Sequence, residues 1–454
     1  MALVEIPPGF ARSFLGDLLQ SGDDGYDAAR QVHNGLIDKR PGLIARCREP
    51  SDVAAAVELA RDGQLEVSVR GGGHSVAGRA VTDGGLMIDL ALMKEITVVP
   101  PARTVEAAGG VTWGELDAAT HEHGLVTPGG IVSSTGIAGL TLGGGLGWTQ
   151  GRFGLTVDNL VAAELVTADG TIVTASEHDH PDLFWALRGG GGNFGVVTRF
   201  AYRTHPLTSV LGGTVAYPAA HARPVLETSR EVTATAPDEL SVQVGLLHLP
   251  GRTRTAAAGL SFCHCGDDGA DAARAVEPLR GAGQPIIDAV NPMPYPAINR
   301  QTDPLFPRGA RNYWKQAFVD EIGDALIDGL VEAFAACPSD MSVLVIEQLH
   351  GAAARVAPHA TAFPYRTTGY AVLLCGQWRD PGADEVNITW GRQTFAALRP
   401  HLGARRYVNY MSVDDTADAA AYGPNHERLV AVKRRYDPTN LFRLNQNIDP
   451  GENR

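Results

Sequence analysis

Arg70-Gly71-Gly72-Gly73-His74-Ser75 sits directly behind the apolar run Leu65-Glu66-Val67-Ser68-Val69. Three consecutive glycines carry no Cβ, so the chain can turn tightly there and offer bare N–H groups to a phosphate. The histidine at the exit adds a second chemistry, because a neutral imidazole is a nucleophile. Further on, Gly190-x-Gly192-x-x-Gly195 has the spacing of the dinucleotide fingerprint. That fingerprint needs a strand before it and a helix after it, so that the pyrophosphate meets a helix N-terminus. Here a helical pattern over 182–187 precedes and a strand pattern over 196–200 follows, which excludes a Rossmann site. Cys263-His264-Cys265 has the residue types of a metal site. No second ligand pair lies nearby, and residues 260–265 read as a strand with both thiols on one face. The pairs His121/His123 and His178/His180 lie in polar turns without partners at ligand spacing, so no metal is expected.

These residues need elements to hold them. Pro50-Ser51-Asp52 caps a helix through 53–61 that Gly63 ends, and the strand over 65–69 then feeds the triglycine bend. Residues 86–90 and 104–107 read as strands, 113–120 as a short helix, and 128–154 as a long glycine-rich segment. Strands over 163–167 and 171–174 flank Asp169-Gly170, a hairpin signal. Beyond Pro206 the composition shifts to strand runs, such as 240–245 and 341–346, separated by alanine-rich helices. The last fifty residues return to short aromatic and asparagine-rich motifs, so the chain end is expected to rejoin the first domain.

At 454 residues the chain is too long for one ordinary core, and two domains of α/β or α+β type are expected. Glycine is abundant but clustered, which points to backbone–ligand contact rather than disorder. The net charge of −13 leaves no basic stripe for nucleic acid. Five scattered cysteines are too few for a disulfide scaffold. No run of 18 apolar residues occurs, and residues 1–20 lack a basic segment followed by an apolar one, so a cytoplasmic enzyme without a membrane partner is expected.

Residues 70–75, 128–147, Phe153-Gly154-Leu155-x-Val157-Asp158-Asn159, residues 182–198, Tyr407-Val408-Asn409-Tyr410 and a tail running from Asn425 to Ile448 together resemble one family. It is that of the FAD-linked oxidases of the vanillyl-alcohol oxidase/p-cresol methylhydroxylase fold, in their berberine-bridge-enzyme-like and 6-hydroxynicotine-oxidase branch. The resemblance spans about Asn34 to Ile448. It implies an α+β architecture: a two-lobed FAD-binding domain of the p-cresol methylhydroxylase (PCMH) type over 1–205, an inserted substrate domain of antiparallel sheet and helices over 206–404, and a C-terminal segment, 405–454, returning to the FAD domain.

Carried over residue by residue, the resemblance implies that FAD is held by Arg70, Gly71, Gly72, Gly73, His74, Ser75 and Gly78. It adds Pro128, Gly130, Ser134, Thr135, Gly136, Gly139, Gly143 and Gly144, then Val197, Asn409, Asn445 and Asn447. His74 matches the position that bonds covalently to the flavin 8α-methyl carbon. Many members add a cysteine thioether where this chain has Val132, so His74 is expected to be the single link. Phe153 replaces an aromatic hydroxyl of many relatives. The implied reaction is hydride transfer from an alcohol carbon of a sugar, glycoside or natural product to flavin N5, with O₂ reduced to hydrogen peroxide. An amine oxidase, a dehydrogenase with another acceptor, an NADPH-dependent reductase and a flavin-carrying binding protein are the alternatives.

The reaction needs a base. Tyr410 matches a family tyrosine close to the flavin face, with Tyr407 beside it, and its phenol must be lowered by cationic neighbours or the flavin environment to serve near neutral pH. At the end of the strand run, period-two alternation puts Gln348 and His350 on one face and Glu347 on the other. The resemblance places polar substrate-facing groups here, so Gln348 and His350 are expected to line the pocket, with His350 as a second base. Arg311-Asn312-Tyr313-Trp314-Lys315 resembles a further segment close to the site.

Overall fold

Helix Pro50–Asp62 turns Val53, Ala56, Val57 and Ala60 inward at helical spacing. It packs on a small sheet whose strands Leu43–Arg46, Leu86–Asp89 and Val67–Arg70 run parallel, with Asp17–Leu19 antiparallel at one edge. Leu86–Asp89 is buried throughout, which is why it reads as an unbroken apolar run and not as an alternation. Strand Val67–Arg70 ends at the triglycine bend. Arg70 pairs in register with Asp89, and its guanidinium grips that carboxylate with two N–H groups. In this computed structural model residues 4–249, 251, 254–415 and 419–451 are described.

A second sheet is wholly antiparallel, in the order Ile96–Val99, Thr104–Ala108, Val196–Arg203, Leu160–Val166, Ile172–Ser176. Its last two strands form the hairpin predicted at Asp169-Gly170. The Asp169 carboxylate accepts from the Thr171 N–H at 3.1 Å, and Gly170 takes φ +86°. Helix Trp113–His121 starts with a capping box between Thr112 and Glu115. The stretch 128–154, read from sequence as glycine-rich, contains helices Ile137–Gly143 and Gln150–Phe153. Glycine is a poor helix former, so local propensity hides them. Gly143 is present because a Cβ there would lie 2.2 Å from the Asn409 carboxamide.

The third and largest sheet, eight antiparallel strands, uses Ser209–Pro218, Ala256–His264, Leu240–His248, Val343–Leu349, Gly369–Trp378 and Arg311–Val319 in that order, with two short strands at its outer edge. Helices Ala222–Ala234, Asp324–Ala335 and Asp384–Leu398 cover one face, burying Val242, Val244, Leu246, Leu344, Ile346 and their neighbours. The alternate residues on the other face look toward the triglycine bend. Cys263 and Cys265 are both buried, in one apolar cluster with Trp148 and Tyr295.

Helix His426–Tyr436 lies against Pro181–Leu187, and Tyr422, Leu429, Val432 and Ile448 join the core of Leu183, Phe184 and Phe194. One buried cation fastens the tail. Lys433 donates to Asp437 at 2.6 Å, to the Asn193 carbonyl at 2.8 Å and to the Phe442 carbonyl at 3.1 Å, with no exposure at either partner of the ion pair. Asp437 in turn accepts from the Leu441 and Phe442 N–H groups. Removing the cation leaves a carboxylate buried without its partner. We therefore expect Lys433→Met to cost about 3–5 kcal/mol, read as a lowered urea midpoint.

Candidate active site

A cavity of about 600 Å³ lies between the triglycine bend, the Thr135–Leu142 segment, the open face of the large sheet and the tail. Its wall begins where two loops touch backbone to backbone. A Cβ on Gly72 would stand 2.2 Å from the Gly136 nitrogen, and one on Gly136 would stand 2.3 Å from the Gly72 nitrogen. Gly73 follows at φ +70°. The glycines are thus required by contact and by backbone hand, beyond any ligand.

Beside them stands His74. Its Nε2 is 2.9 Å from Ser134 Oγ and its Nδ1 is 3.3 Å from Thr135 Oγ1. His33 stacks on the ring at 3.9 Å, anchored by its own Nε2 to the Phe306 carbonyl at 3.0 Å. Burial first, then the neighbouring His33 and Arg308, hold His74 well below the ordinary imidazole range, so the ring is neutral.

Of the residues expected to hold a cofactor, Gly71, Gly72, Gly73, His74, Ser75, Gly130, Thr135, Gly136, Gly139, Val197, Asn409 and Asn445 line this cavity. The others stand behind the wall. Arg70 is committed to Asp89 and to the Ala29 and Gln31 carbonyls. Gly78 gives room to Ile37, Gly143 to Asn409, and Gly144 to Phe363 and Tyr407. Ser134 reaches the site through His74. Pro128 and Asn447 are not among the lining residues. Sequence reasoning missed Arg79, which lines the cavity with no carboxylate in ion-pair contact among the described residues; one guanidinium N–H donates to Gln446 Oε1 at 3.2 Å and its buried Nε has no partner among them.

These features fit FAD. Cβ atoms built on Gly139 and Gly192 would meet nothing within 4 Å, so both glycines open onto the cavity. The Asn445 Oδ1 is buried without a partner, and Arg79 supplies an uncompensated cation suited to a pyrophosphate. No cysteine lines the cavity, and Val132 does.

At the other end, the large sheet presents Thr214, Gln243, Leu247, Ser261, Val343, Val345, Glu347 and Leu373, with Trp314 beside them. Glu347 is the residue that sequence reasoning put on the wrong face. Alternation along Val343–Leu349 is real, but it is the odd positions that face the cavity. Gln348 instead points to the helical layer, where its Nε2 donates to the Thr233 carbonyl at 2.8 Å. His350 packs on Gly151 at the strand end, outside the cavity. Both assignments as pocket residues are therefore corrected. Period two defines two faces but does not say which one the helices will cover. The available signal was an acid at the end of an otherwise apolar strand.

Glu347 is buried and accepts from Tyr410 Oη at 3.0 Å and from Gln243 Nε2 at 3.1 Å. Burial raises its carboxyl to about 7, partly offset by the tyrosine's hydrogen bond. Tyr410 stands edge-on to Tyr407 and Trp314. Its phenol is pushed up in the protein alone, by burial and then by the Glu347 charge, with no lowering by a cationic neighbour among the described residues. The nearest lysine cannot help, because Lys315 is spent on Asp414 at 2.8 Å and on Asp415. Tyr407 accepts from the Gly145 N–H at 2.8 Å and from Asn409 Nδ2 at 2.9 Å, and burial raises it to about 12. These bonds fix Tyr407 in place, while Tyr410 and Glu347 form a hydrogen-bonded phenol–carboxyl pair facing the cavity. Phe153 lies outside the cavity, stacked on His205 at 4.2 Å.

Residues 41–176 match the family model described as FAD binding domain, and residues 406–449 match that described as berberine and berberine like. The chain is 33% identical to (R)-6-hydroxynicotine oxidase from Paenarthrobacter nicotinovorans, over 96% of this chain and 97% of that protein. It is 30% identical to the FAD-linked oxidoreductase YgaK from Bacillus subtilis, over 96% and 97%. Among solved structures, 6-hydroxy-D-nicotine oxidase from Arthrobacter nicotinovorans superposes with a TM-score of 0.88 at 30% identity, covering 98% of this chain and all of that one. The BBE-like 1 protein of Physcomitrella patens shares the fold, with a TM-score of 0.87 at 23% identity over 95% and 96%.

The raised carboxyl of Glu347 has a consequence for stability. The folded protein holds this proton more tightly than the unfolded chain, so the stabilisation is complete below about pH 4 and is lost as pH rises through about 7. Glutamine at this position has no such dependence. Between pH 4 and pH 8.5, Glu347→Gln should gain on the order of 3 kcal/mol relative to the native chain, measured as the difference between their melting midpoints.

Proposed function

As the chain belongs to the PCMH-type FAD-linked oxidoreductases, in their berberine-bridge-like branch, we propose that it oxidises an alcohol carbon of a compact, largely apolar natural product, with Tyr410 and Glu347 taking the proton. When bound, FAD supplies the two-electron acceptor that takes hydride from the substrate and hands the electrons to O₂, releasing hydrogen peroxide. Gly71–Ser75, Thr135, Gly136, Gly139, Asn445 and Arg79 hold the cofactor. His74, neutral and braced by Ser134, Thr135 and His33, carries the one covalent link to it. Val132 and the absence of a lining cysteine among the described residues favour a single link.

The observation that carries this reading is the Tyr410–Glu347 hydrogen bond inside the cavity, beside the aliphatic Leu247, Val343, Val345 and Leu373. As hydride leaves the carbon, the substrate hydroxyl gives its proton to Tyr410 Oη, and Tyr410 gives its own to Glu347. A carboxylate that titrates near neutral pH suits that task. Gln243 fixes the carboxylate's second oxygen.

These four aliphatic side chains favour a natural product over a sugar. A sugar needs a partner for every hydroxyl it brings out of water, whereas Thr214 and Ser261 bond to each other at 2.8 Å. Amine oxidation is the second reading. Ionised Glu347, with no cation in ion-pair contact, would attract an ammonium, and a hydroxynicotine oxidase is among the relatives.

Anaerobic bleaching of the flavin tests the pair. Tyr410→Phe and Glu347→Gln should each retain FAD and slow bleaching by about 10²–10⁴-fold. In the native protein the rate should rise as pH passes through about 7, the value at which Glu347 ionises. That rise should vanish in Glu347→Gln, and its persistence would place the base elsewhere. For the link, acid-denatured native protein should keep its yellow colour on the His74 peptide. Acid-denatured His74→Ala should release it to the supernatant.

A further inference from the structure

Gly245 and Gly259 face each other on neighbouring strands at the centre of the eight-stranded sheet, and both line the cavity. Glycine inside a strand weakens it. It persists where the backbone needs a left-handed φ, where protein atoms crowd the α-carbon, or where a ligand comes close. The first two reasons fail here. Neither residue has a positive φ. A Cβ on Gly245 would come no nearer than 3.7 Å to any neighbour, and one on Gly259 no nearer than 3.6 Å, both ordinary contacts. Gly213, on the adjoining strand, shows the contrast: its φ is +145°, and a Cβ would lie 2.1 Å from the Ala289 carbonyl oxygen.

The register says what the space is for. Ser261, Gln243 and Glu347 form one row across three strands. Gly259, Gly245 and Val345 form the next row on the same face, two residues and so roughly 7 Å further along. A substrate whose reacting carbon sits beside Tyr410 and Glu347 must therefore lay its body across bare peptide. Gly245 is half-buried and Gly259 buried, with Leu247 bordering both. Their lack of Cβ atoms leaves the peptide planes of this row free to meet a flat ring at close range.

We propose that Gly245 and Gly259 determine specificity, forming a floor on which a planar aromatic body of the substrate lies while its alcohol or amine carbon is held beside the acid. This rests on the reading of the cavity as the oxidation site. The two are separable, because binding to the floor can be measured without turnover.

Benzyl alcohol and 4-phenylbenzyl alcohol are titrated into the flavin-loaded enzyme, and Kd is read from the perturbed flavin absorbance. Both should bind the native protein, the two-ring probe more tightly. Gly245→Val and Gly259→Val should keep FAD and an equal or higher melting midpoint. They should weaken the two-ring probe by about tenfold or more, and benzyl alcohol by less than about threefold. Valine variants that bind both probes as the native protein does would overturn the proposal, as would a native protein whose spectrum neither probe perturbs. If the valine variants do not fold, Gly245→Ala and Gly259→Ala decide. They support the floor if the two-ring probe alone weakens, and they overturn it if they bind both probes unchanged. Failure of the bound probes to bleach the flavin anaerobically would count against oxidation of such alcohols and leave the binding result intact.

Discussion

Everything at the cofactor end depends on Gly72 and Gly136 meeting backbone to backbone. Gly72 belongs to the loop leaving the parallel sheet, and Gly136 precedes helix Ile137–Gly143 beside the antiparallel sheet. The second loop is itself tied down: Trp113 N donates to the Thr135 carbonyl and Ile137 N to the Val111 carbonyl. Any side chain at either glycine would push the two sheets' loops apart and carry His74 away from Ser134 and Thr135. The triglycine bend is thus a junction between two lobes. Its usefulness to a dinucleotide follows from the same lack of side chains that lets the lobes close.

The chemistry of the site depends on a cation being left out. Four other buried or half-buried acids are paired with cations, Asp89 with Arg70, Asp437 with Lys433, Asp158 with Arg366 and Asp414 with Lys315. Asp117, outside the cavity, takes only the Asn299 amide among the described residues. Glu347 receives only neutral donors, Tyr410 and Gln243. A buried carboxylate held by neutral hydrogen bonds stays expensive, so its proton comes off near neutral pH. Lys315 cannot reach it: it lies on the opposite face of its strand from Trp314, where two aspartates hold it, and the acid is left with neutral partners.

The local signals in the sequence were read well where they were local in cause. The triglycine bend, the helix ended by Gly63, the Asp169-Gly170 hairpin and the reversed order around Gly190–Gly195 all follow from propensity and backbone freedom, and the structure has them. What the sequence hid was set by distant partners. Helix Ile137–Gly143 carries Gly143 where Asn409, far along the chain, takes the space, and Gly139 where the cavity opens. Gln348 and Glu347 exchange roles because helix Ala222–Ala234 covers the even face of their strand. Arg79 stands out only once the fold shows that no acid reaches it. The acid beside Tyr410 is likewise set by the fold, since Glu347 meets it from a strand far away in the sequence.

The large sheet also explains how such a site can change its substrate without losing its fold. Even positions of Val343–Leu349 pack on helices and belong to the core, while Val343, Val345 and Glu347 face the cavity, Val343 and Val345 in a small cluster with Leu373, Trp314 and Tyr410. Because the strand period is two, a substitution at 343, 345 or 347 alters the pocket and leaves the helical interface alone. Tyr410 comes from outside that sheet, on the tail. Tyr407 holds this segment in place, its N–H bonded to Gln316 Oε1 at 2.7 Å and its hydroxyl to Gly145. The proton pair therefore joins a variable surface to an anchored one. Substrate choice can drift along the odd positions as long as Glu347 still meets a tyrosine that the cofactor domain and the tail together keep in place.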